Sequence, residues 1–117
     1  MIGLLLPTSR VCRAILARIR RLLAEPEGSV IQGYDEGAWA ECVALGYNEL
    51  PIENSFAVYL SVRAASLDVI KRMSTADLER YGMHSESGKF TVEKWVRIYS
   101  SHPRDHGDQI KSALGLN

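Results

Sequence analysis

The sequence predicts one small α+β domain over residues 1–117, with an N-terminal amphipathic helix, a small antiparallel sheet and several short helices. Three observations support this class. A chain of 117 residues is long enough to bury a core without disulfides or metals. Apolar residues recur with a helical period near the N-terminus. Residues 56–64 and 90–100 are rich in β-branched and aromatic residues, which favour strands. If residues 90–99 are helical instead, the protein is mostly α.

The first predicted element is a helix over residues 8–24. On a helical wheel its apolar side chains share one arc, and arginines and alanines fill the remainder. Thr8 or Ser9 supplies the N-cap, while Pro26 and Gly28 end the helix. The apolar arc consists of Val11, Cys12, Ile15, Leu16, Ile19, Leu22 and Leu23.

The next segment contains a loop with a short strand at Val30–Gln32 and then a second helix. Asp35 is a suitable N-cap for this helix, whose sequence is EGAWAECVAL. Gly46 stands where a left-handed residue can end it. A polar connection that contains proline, YNELPIENS, follows.

A strand is predicted at residues 56–64, where apolar and polar residues alternate. Ser66 then caps a short helix, and Thr75 begins another that stops at Gly82. Residues 83–89 form a turn-rich loop. The apolar face of the strand consists of Phe56, Val58, Leu60 and Val62.

Residues 90–100, FTVEKWVRIYS, fit two patterns. As a strand they place four apolar residues on one face: Phe90, Val92, Val96 and Ile98. As a helix capped by Thr91 they give the i, i+3, i+4, i+7 pattern: Val92, Trp95, Val96 and Tyr99. The β-branched and aromatic content favours the strand. Pro103 follows, and a short helix ends the sequence.

Charge is unevenly distributed along a chain whose formal net charge is zero. Residues 1–21 carry five arginines and no acid, whereas residues 22–62 carry seven acids and no lysine or arginine. A neutral domain lacks the overall positive charge that draws a protein to nucleic acid or anionic lipid. We therefore expect the basic face of the first helix to lie against the acids that follow it.

The segment HPRDHGD, residues 102–108, is the best candidate for chemistry. His102 and His106 are four residues apart, the spacing that places two imidazoles on one helical face for a metal ion. Pro103, however, predicts that His102 precedes the helix, which would separate the two rings. We therefore predict no metal site, no cofactor and no catalytic residue. The sequence also lacks a nucleophile elbow and a phosphate-binding glycine loop.

These observations predict a non-enzymatic protein that acts by protein–protein interaction, such as an inhibitor or accessory factor of the phage or immunity type. Acidic side chains would steer it to a basic partner surface, and aromatic side chains would anchor it there. The predicted contact residues are Tyr34, Asp35, Glu36, Glu41, Tyr47, Glu49 and Glu53.

The alternative is a nucleic-acid-binding regulator that contacts phosphates through the first helix. Its contact residues would be Arg10, Arg13, Arg18, Arg20 and Arg21. No apolar run is long enough to cross a membrane, so we expect no membrane partner and a cytoplasmic location. Cys12 and Cys42 are expected to be buried, reduced thiols. The sequence does not specify an oligomeric state.

Overall fold

The structure, a computed structural model, describes residue 14 and residues 16–116. It confirms the α+β class, because several helices accompany one small sheet. The described residues form α1 (residues 16–24, with residue 14 also helical), α2 (Glu36–Glu41), α3 (Ile52–Arg72), α4 (Thr75–Glu79) and α5 (Val92–Ala113). A single 3-10 turn, Val43–Leu45, follows α2.

The sheet has three strands in the order β1 (Val30–Ile31), β2 (Tyr81–His84) and β3 (Gly88–Thr91). The short strand predicted after α1 is therefore confirmed. β2 and β3 form an antiparallel hairpin, whereas β1 pairs with β2 in parallel. The predicted antiparallel sheet is confirmed for the β2–β3 pair. β1 differs, because a long crossover through α2, α3 and α4 returns the chain in the same direction.

Gly82 allows β1 and β2 to approach each other closely. A Cβ atom at this position would lie 2.8 Å from Ile31 Cδ1 and 2.9 Å from the Ser29 carbonyl oxygen. Both distances are too short for a side chain, so only glycine fits without a shift of the backbone. Gly82 was predicted to stop a helix, but it is a buried strand residue.

The core lies where α1 and α5 cover the sheet. Leu23, Ile70, Met73, Leu78, Phe90 and Val96 pack around its edge. Burying such side chains contributes about 1.5–3 kcal/mol each. The buried cluster itself consists of Ile19, Leu22, Ile31, Val92, Trp95 and Tyr99.

Arg80 joins the end of α1 to the start of β2. Its Nε donates to the Leu22 carbonyl at 3.0 Å, and its Nη2 donates to the Glu25 carbonyl at 2.7 Å. Carbonyls at a helix C-terminus lack intrahelical partners, so the guanidinium satisfies two of them. The predicted helix 8–24 is confirmed over its described part, and residues 1–13 lie outside the described residues.

The strand predicted at residues 56–64 is wrong, because this segment lies inside the 21-residue helix α3. Buried and half-buried positions recur every three to four residues along the helix, which is the helical period. Ser66 is fully buried within α3 and does not cap a new helix. Ser74 caps α4 instead, through a reciprocal capping box with Asp77.

The preferred strand at residues 90–100 is also wrong beyond Thr91, and the helical alternative describes the segment. β3 ends at Thr91, whose hydroxyl accepts a hydrogen bond from the Lys94 amide at 3.1 Å and caps α5. Val92, Trp95 and Tyr99 are buried on one face. The final helix predicted separately is the continuation of α5 through Pro103.

Residues 35–46 follow the prediction more closely than residues 56–64 and 90–100 do. Asp35 caps α2 by accepting from the Ala38 amide at 2.9 Å, and Gly46 has a left-handed φ of 60°. The predicted helix is interrupted after Glu41, and the 3-10 turn begins at Val43. Cys42 is an exposed free thiol, so the prediction of a buried cysteine is wrong at this position.

Among the described residues, no helix combines the length and the apolar character that a membrane crossing requires.

Candidate functional site

Two histidines meet on one face of α5. His102 and His106 are half-buried and one helical turn apart. Their Nε2 atoms lie 2.9 Å apart, and the two ring planes are nearly perpendicular at 87°. At this distance one imidazole donates a hydrogen bond to the other. With both rings in the Nδ1–H form, the two Nε2 lone pairs would form the beginning of a metal-binding site.

Pro103 lies inside α5, and this is why the sequence prediction of separated rings is wrong. Proline has no amide hydrogen, so the carbonyl of Tyr99, four residues earlier, loses its intrahelical partner. In the structure Arg63 Nη1 of α3 donates to this carbonyl at 3.3 Å. The same guanidinium lies 4.4 Å from the centre of the Tyr99 ring. Arg63 thus replaces the missing bond, and the helix continues from His102 to His106.

The surroundings of His102 favour its neutral form. Burial lowers the pKa of His102 below 6.5, and the repulsion of His106 adds to this effect. The Glu36 and Asp105 carboxylates oppose the shift. His106 Nδ1 contacts Gln109 Oε1 at 3.1 Å. When Nδ1 carries the proton of that contact, His106 Nε2 is left as an acceptor facing His102.

A cavity of about 240 Å³ opens beside His102. Its walls come from α1, α2, the β2–β3 hairpin and α5, so residues distant in sequence meet there. Phe90, Trp95 and Ile98 supply apolar surface. The polar and charged side chains that line it include Arg18, Tyr34, Glu36, His84, Glu86 and His102.

The described residues place two imidazole donors here and no third His, Cys, Asp or Glu donor beside them. No group of three or more histidine, cysteine, aspartate or glutamate side chains within residues 14 and 16–116 has metal-binding geometry. Zinc in proteins takes three or four protein ligands. The donor type and convergence of His102 and His106 fit two of these positions, and the others would come from groups outside this set.

The residues predicted to bind a partner differ in their surroundings. Asp35 is occupied as the cap of α2, and Glu36 lines the cavity. Tyr47 is 7% exposed and belongs to the interior, whereas Tyr34 packs against Trp39 with ring centres 4.6 Å apart. The remaining acids are exposed on α2, on the following connection and at the start of α3: Glu41, Glu49 and Glu53.

The described arginines of α1 bond within the protein. Arg21 pairs with Glu25 at 3.0 Å, the first acid of the acidic segment. Arg20 donates to the Leu16 carbonyl on its own helix. Arg18 donates to the Gln32 carbonyl at 3.3 Å and lies 5.7 Å from the Tyr34 ring. Arg10 and Arg13 lie outside the described residues.

Sequence reasoning recognised the histidine spacing and missed two other residues near it, Arg63 and His84. Arg63 is 36 residues from Tyr99 in the chain, so no local pattern links it to Pro103. His84 lies in a segment that was predicted to be only a loop, and it is the last residue of β2. The pairing of β2 with β3 is the signal that would have placed it near α5.

Comparison with known proteins finds a matching family model and several similar proteins. Residues 8–110 match the model of a family described as the DinB superfamily. A protein of Oceanobacillus iheyensis with the name "Putative metal-dependent hydrolase" is 35% identical over 92 residues, which cover 79% of this chain and 52% of that protein. Proteins of Bacillus mycoides and Bacillus cereus with the same description are 28% and 26% identical over 92 residues, covering 79% of this chain and 51% of each protein.

These similarities correct the functional prediction. The chain resembles proteins named as hydrolases and matches a family model over most of its length. The prediction of a non-enzymatic interaction factor or inhibitor is therefore wrong, as is its nucleic-acid-binding alternative. The prediction failed because Pro103 was expected to separate His102 from His106, so this pair was not counted as a metal site. The chain spans about half the length of the curated relatives it matches.

Proposed function

Because this chain belongs to the DinB superfamily, we propose that it binds a transition-metal ion through His102 and His106 and takes part in metal-dependent hydrolysis. The observation that carries this proposal is the 2.9 Å approach of the two Nε2 atoms on one face of α5. The names of the relatives support it independently, since they describe hydrolases that depend on a metal.

The chemistry of the donors suits a borderline metal such as zinc or nickel, which imidazole binds well. A metal ion bound there would polarise a substrate carbonyl and lower the pKa of a coordinated water molecule. The lowered pKa of His102 keeps its imidazole neutral to a more acidic pH, and neutrality is what a ligand requires.

The chain's own residues hold this arrangement in place. Gln109 orients the ring of His106 through Nδ1, and Arg63 maintains the helix between the two histidines. Outer contacts of this kind fix the direction of the ligand nitrogen and contribute to metal affinity. The adjoining cavity offers space for a small substrate next to His102.

The cell compartment is part of the same proposal. We infer a cytoplasmic location, which the exposed free thiol of Cys42 supports, because such thiols persist in reducing compartments.

Zinc titration of the full chain tests the proposal. Isothermal titration calorimetry of the metal-free protein with ZnCl₂ is expected to show one site. His102→Gln and His106→Gln should each weaken zinc binding by at least about a hundredfold, because removing a ligand costs more than disturbing its outer contacts. Circular dichroism of each variant checks that α5 remains helical.

His84→Gln is the matched control, since it removes the third histidine of the sequence from outside the pair. It is expected to bind zinc with the affinity of the unsubstituted protein. Zinc affinity that is unchanged in both His102→Gln and His106→Gln would contradict the proposal.

A further inference from the structure

One face of α3 is apolar and exposed. Leu60 and Leu67 are 52% and 48% exposed, whereas Val62 and Ser66, on the opposite face of the same helix, are buried. Two exposed alanines lie on the same side as the leucines. Apolar side chains that are exposed in a row, rather than singly, are typical of an interaction surface. We call this row the α3 stripe; it consists of Ala57, Leu60, Ala64 and Leu67.

The spacing of the α3 stripe indicates what kind of surface covers it. Its four members follow one another at intervals of three, four and three residues. A further step of four residues in each direction reaches Glu53 and Lys71, which are also exposed. Alternating intervals of three and four place side chains along the seam between two helices of a coiled coil. A second helix is therefore the partner that this face fits.

The order of large and small side chains fits a second copy of α3 in the antiparallel direction. In such a pair, residues equally distant from position 62 face each other across a two-fold axis. Leu60 of one copy then meets Ala64 of the other, and Leu67 meets Ala57. Each layer combines a large side chain with a small one, so the two helices can approach closely and interdigitate. Val62 itself faces the protein interior and does not enter the contact.

The charges at the two ends of the stripe favour the same direction. In the antiparallel pair Glu53 of each copy faces Lys71 of the other, because both lie nine residues from position 62. In a parallel pair each residue would face its own copy, and like charges would repel. Within the part of the chain that the structure describes, the ion pairs include neither residue. Both charges are thus available for a contact between copies.

We propose that the α3 stripe is the interface of a homodimer in which two α3 helices pack antiparallel at the level of Val62. The occupant is a second copy of this chain, because self-pairing matches both the side-chain sizes and the charges. The inference goes beyond the proposed function and does not depend on it, since its residues lie on α3 and the histidine pair lies on α5.

Sedimentation equilibrium of the full chain tests the inference. From about 5 µM to about 500 µM, the range in which a small interface associates, the mass should rise from the 13.0 kDa of one chain towards twice that value. A chain that stays at 13.0 kDa throughout would leave the stripe to another segment or another protein and would overturn the inference.

Charge reversal tests the direction of the pair. Glu53→Lys and Lys71→Glu should each weaken self-association by at least about tenfold, because each brings two like charges together at both ends. The variant with both substitutions should regain the original dissociation constant, and an equal mixture of the two single variants should form heterodimers. Arg72→Glu is the matched control, since it makes the same change of charge one residue outside the stripe and should leave self-association within about twofold. Equal weakening by Lys71→Glu and Arg72→Glu, or no recovery in the double variant, would overturn the inference.

Leu60→Gln tests the apolar part of the interface. Because Leu60 is half exposed, this substitution leaves the interior of each copy intact. Self-association should weaken by about tenfold or more, since each copy loses one apolar contact of the seam. Circular dichroism at a concentration where the chain is monomeric should show unchanged helix content. A dimer as stable as that of the unsubstituted chain would overturn the inference.

Discussion

At the scale of single residues, the contact between Arg63 and Tyr99 explains why a proline is tolerated in the helix that carries the histidine pair. Pro103 removes one backbone hydrogen bond, and the Arg63 guanidinium satisfies the carbonyl that is left. Sequence reasoning took Pro103 as a barrier because it considered only the local chain. The compensating group belongs to another helix, and no rule of spacing points to it.

Replacing Arg63 with methionine should therefore disturb α5 at Pro103. We expect the free energy of unfolding to fall by about 1–3 kcal/mol, the cost of leaving a carbonyl without its charged donor. Zinc affinity should also fall, because the two histidines lose their common helical turn. Urea unfolding and zinc calorimetry measure the two effects. Arg72→Met, at an exposed position of the same helix, is the control and should change neither quantity.

The half-buried His102 predicts a dependence of stability on pH. Burial lowers its pKa in the folded state below 6.5, so the unfolded chain binds this proton more readily. The free energy of unfolding should be insensitive to His102 above this value and should decrease as the pH falls below it. Urea unfolding from about pH 8 to about pH 5 measures the slope. His102→Gln should flatten it, and an identical slope in this variant would contradict the assignment.

At the scale of secondary-structure elements, the sequence predicted caps and short local elements better than long helices. The Asp35 cap, the short strand at β1 and the end of α1 follow from local residue types. α3 was missed because nine alternating residues were considered without the longer period that continues to Arg72. For α5 the cap at Thr91 was recognised as an alternative, and burial against the sheet decides for the helix.

The junction of β1 and β2 gives a prediction about two glycines. Gly82→Ala should lower the free energy of unfolding by about 1–3 kcal/mol, because the added methyl group meets Ile31 and the backbone of Ser29. Gly107→Ala is the matched comparison, since a Cβ there meets no atom within 4 Å and the residue lies in α5. Alanine should stabilise that helix by about 0.5–1 kcal/mol. Thermal or urea unfolding measures both, and equal effects would contradict the assigned role of Gly82.

At the scale of the whole molecule, the charge distribution and the histidine pair point to different functions. The charge distribution favours binding to a partner, whereas the pair favours metal chemistry. Among the described residues near the N-terminus, Arg21 pairs with Glu25, while Arg18 and Arg20 donate to backbone carbonyls. The cavity collects residues from α1, α2, the hairpin and α5. Such a site depends on tertiary contacts, and for that reason composition and spacing alone indicated only one of its parts.

The central claim is that His102 and His106 bind a metal ion together, and X-ray absorption spectroscopy of the zinc-loaded full chain tests it most directly. The spectrum reports the type and number of atoms around the metal. We expect two imidazole ligands with Zn–N distances of about 2.0–2.1 Å. Their signature should disappear in the variant that carries both His102→Gln and His106→Gln. A zinc shell without imidazole, or one that the double substitution leaves unchanged, would contradict the account.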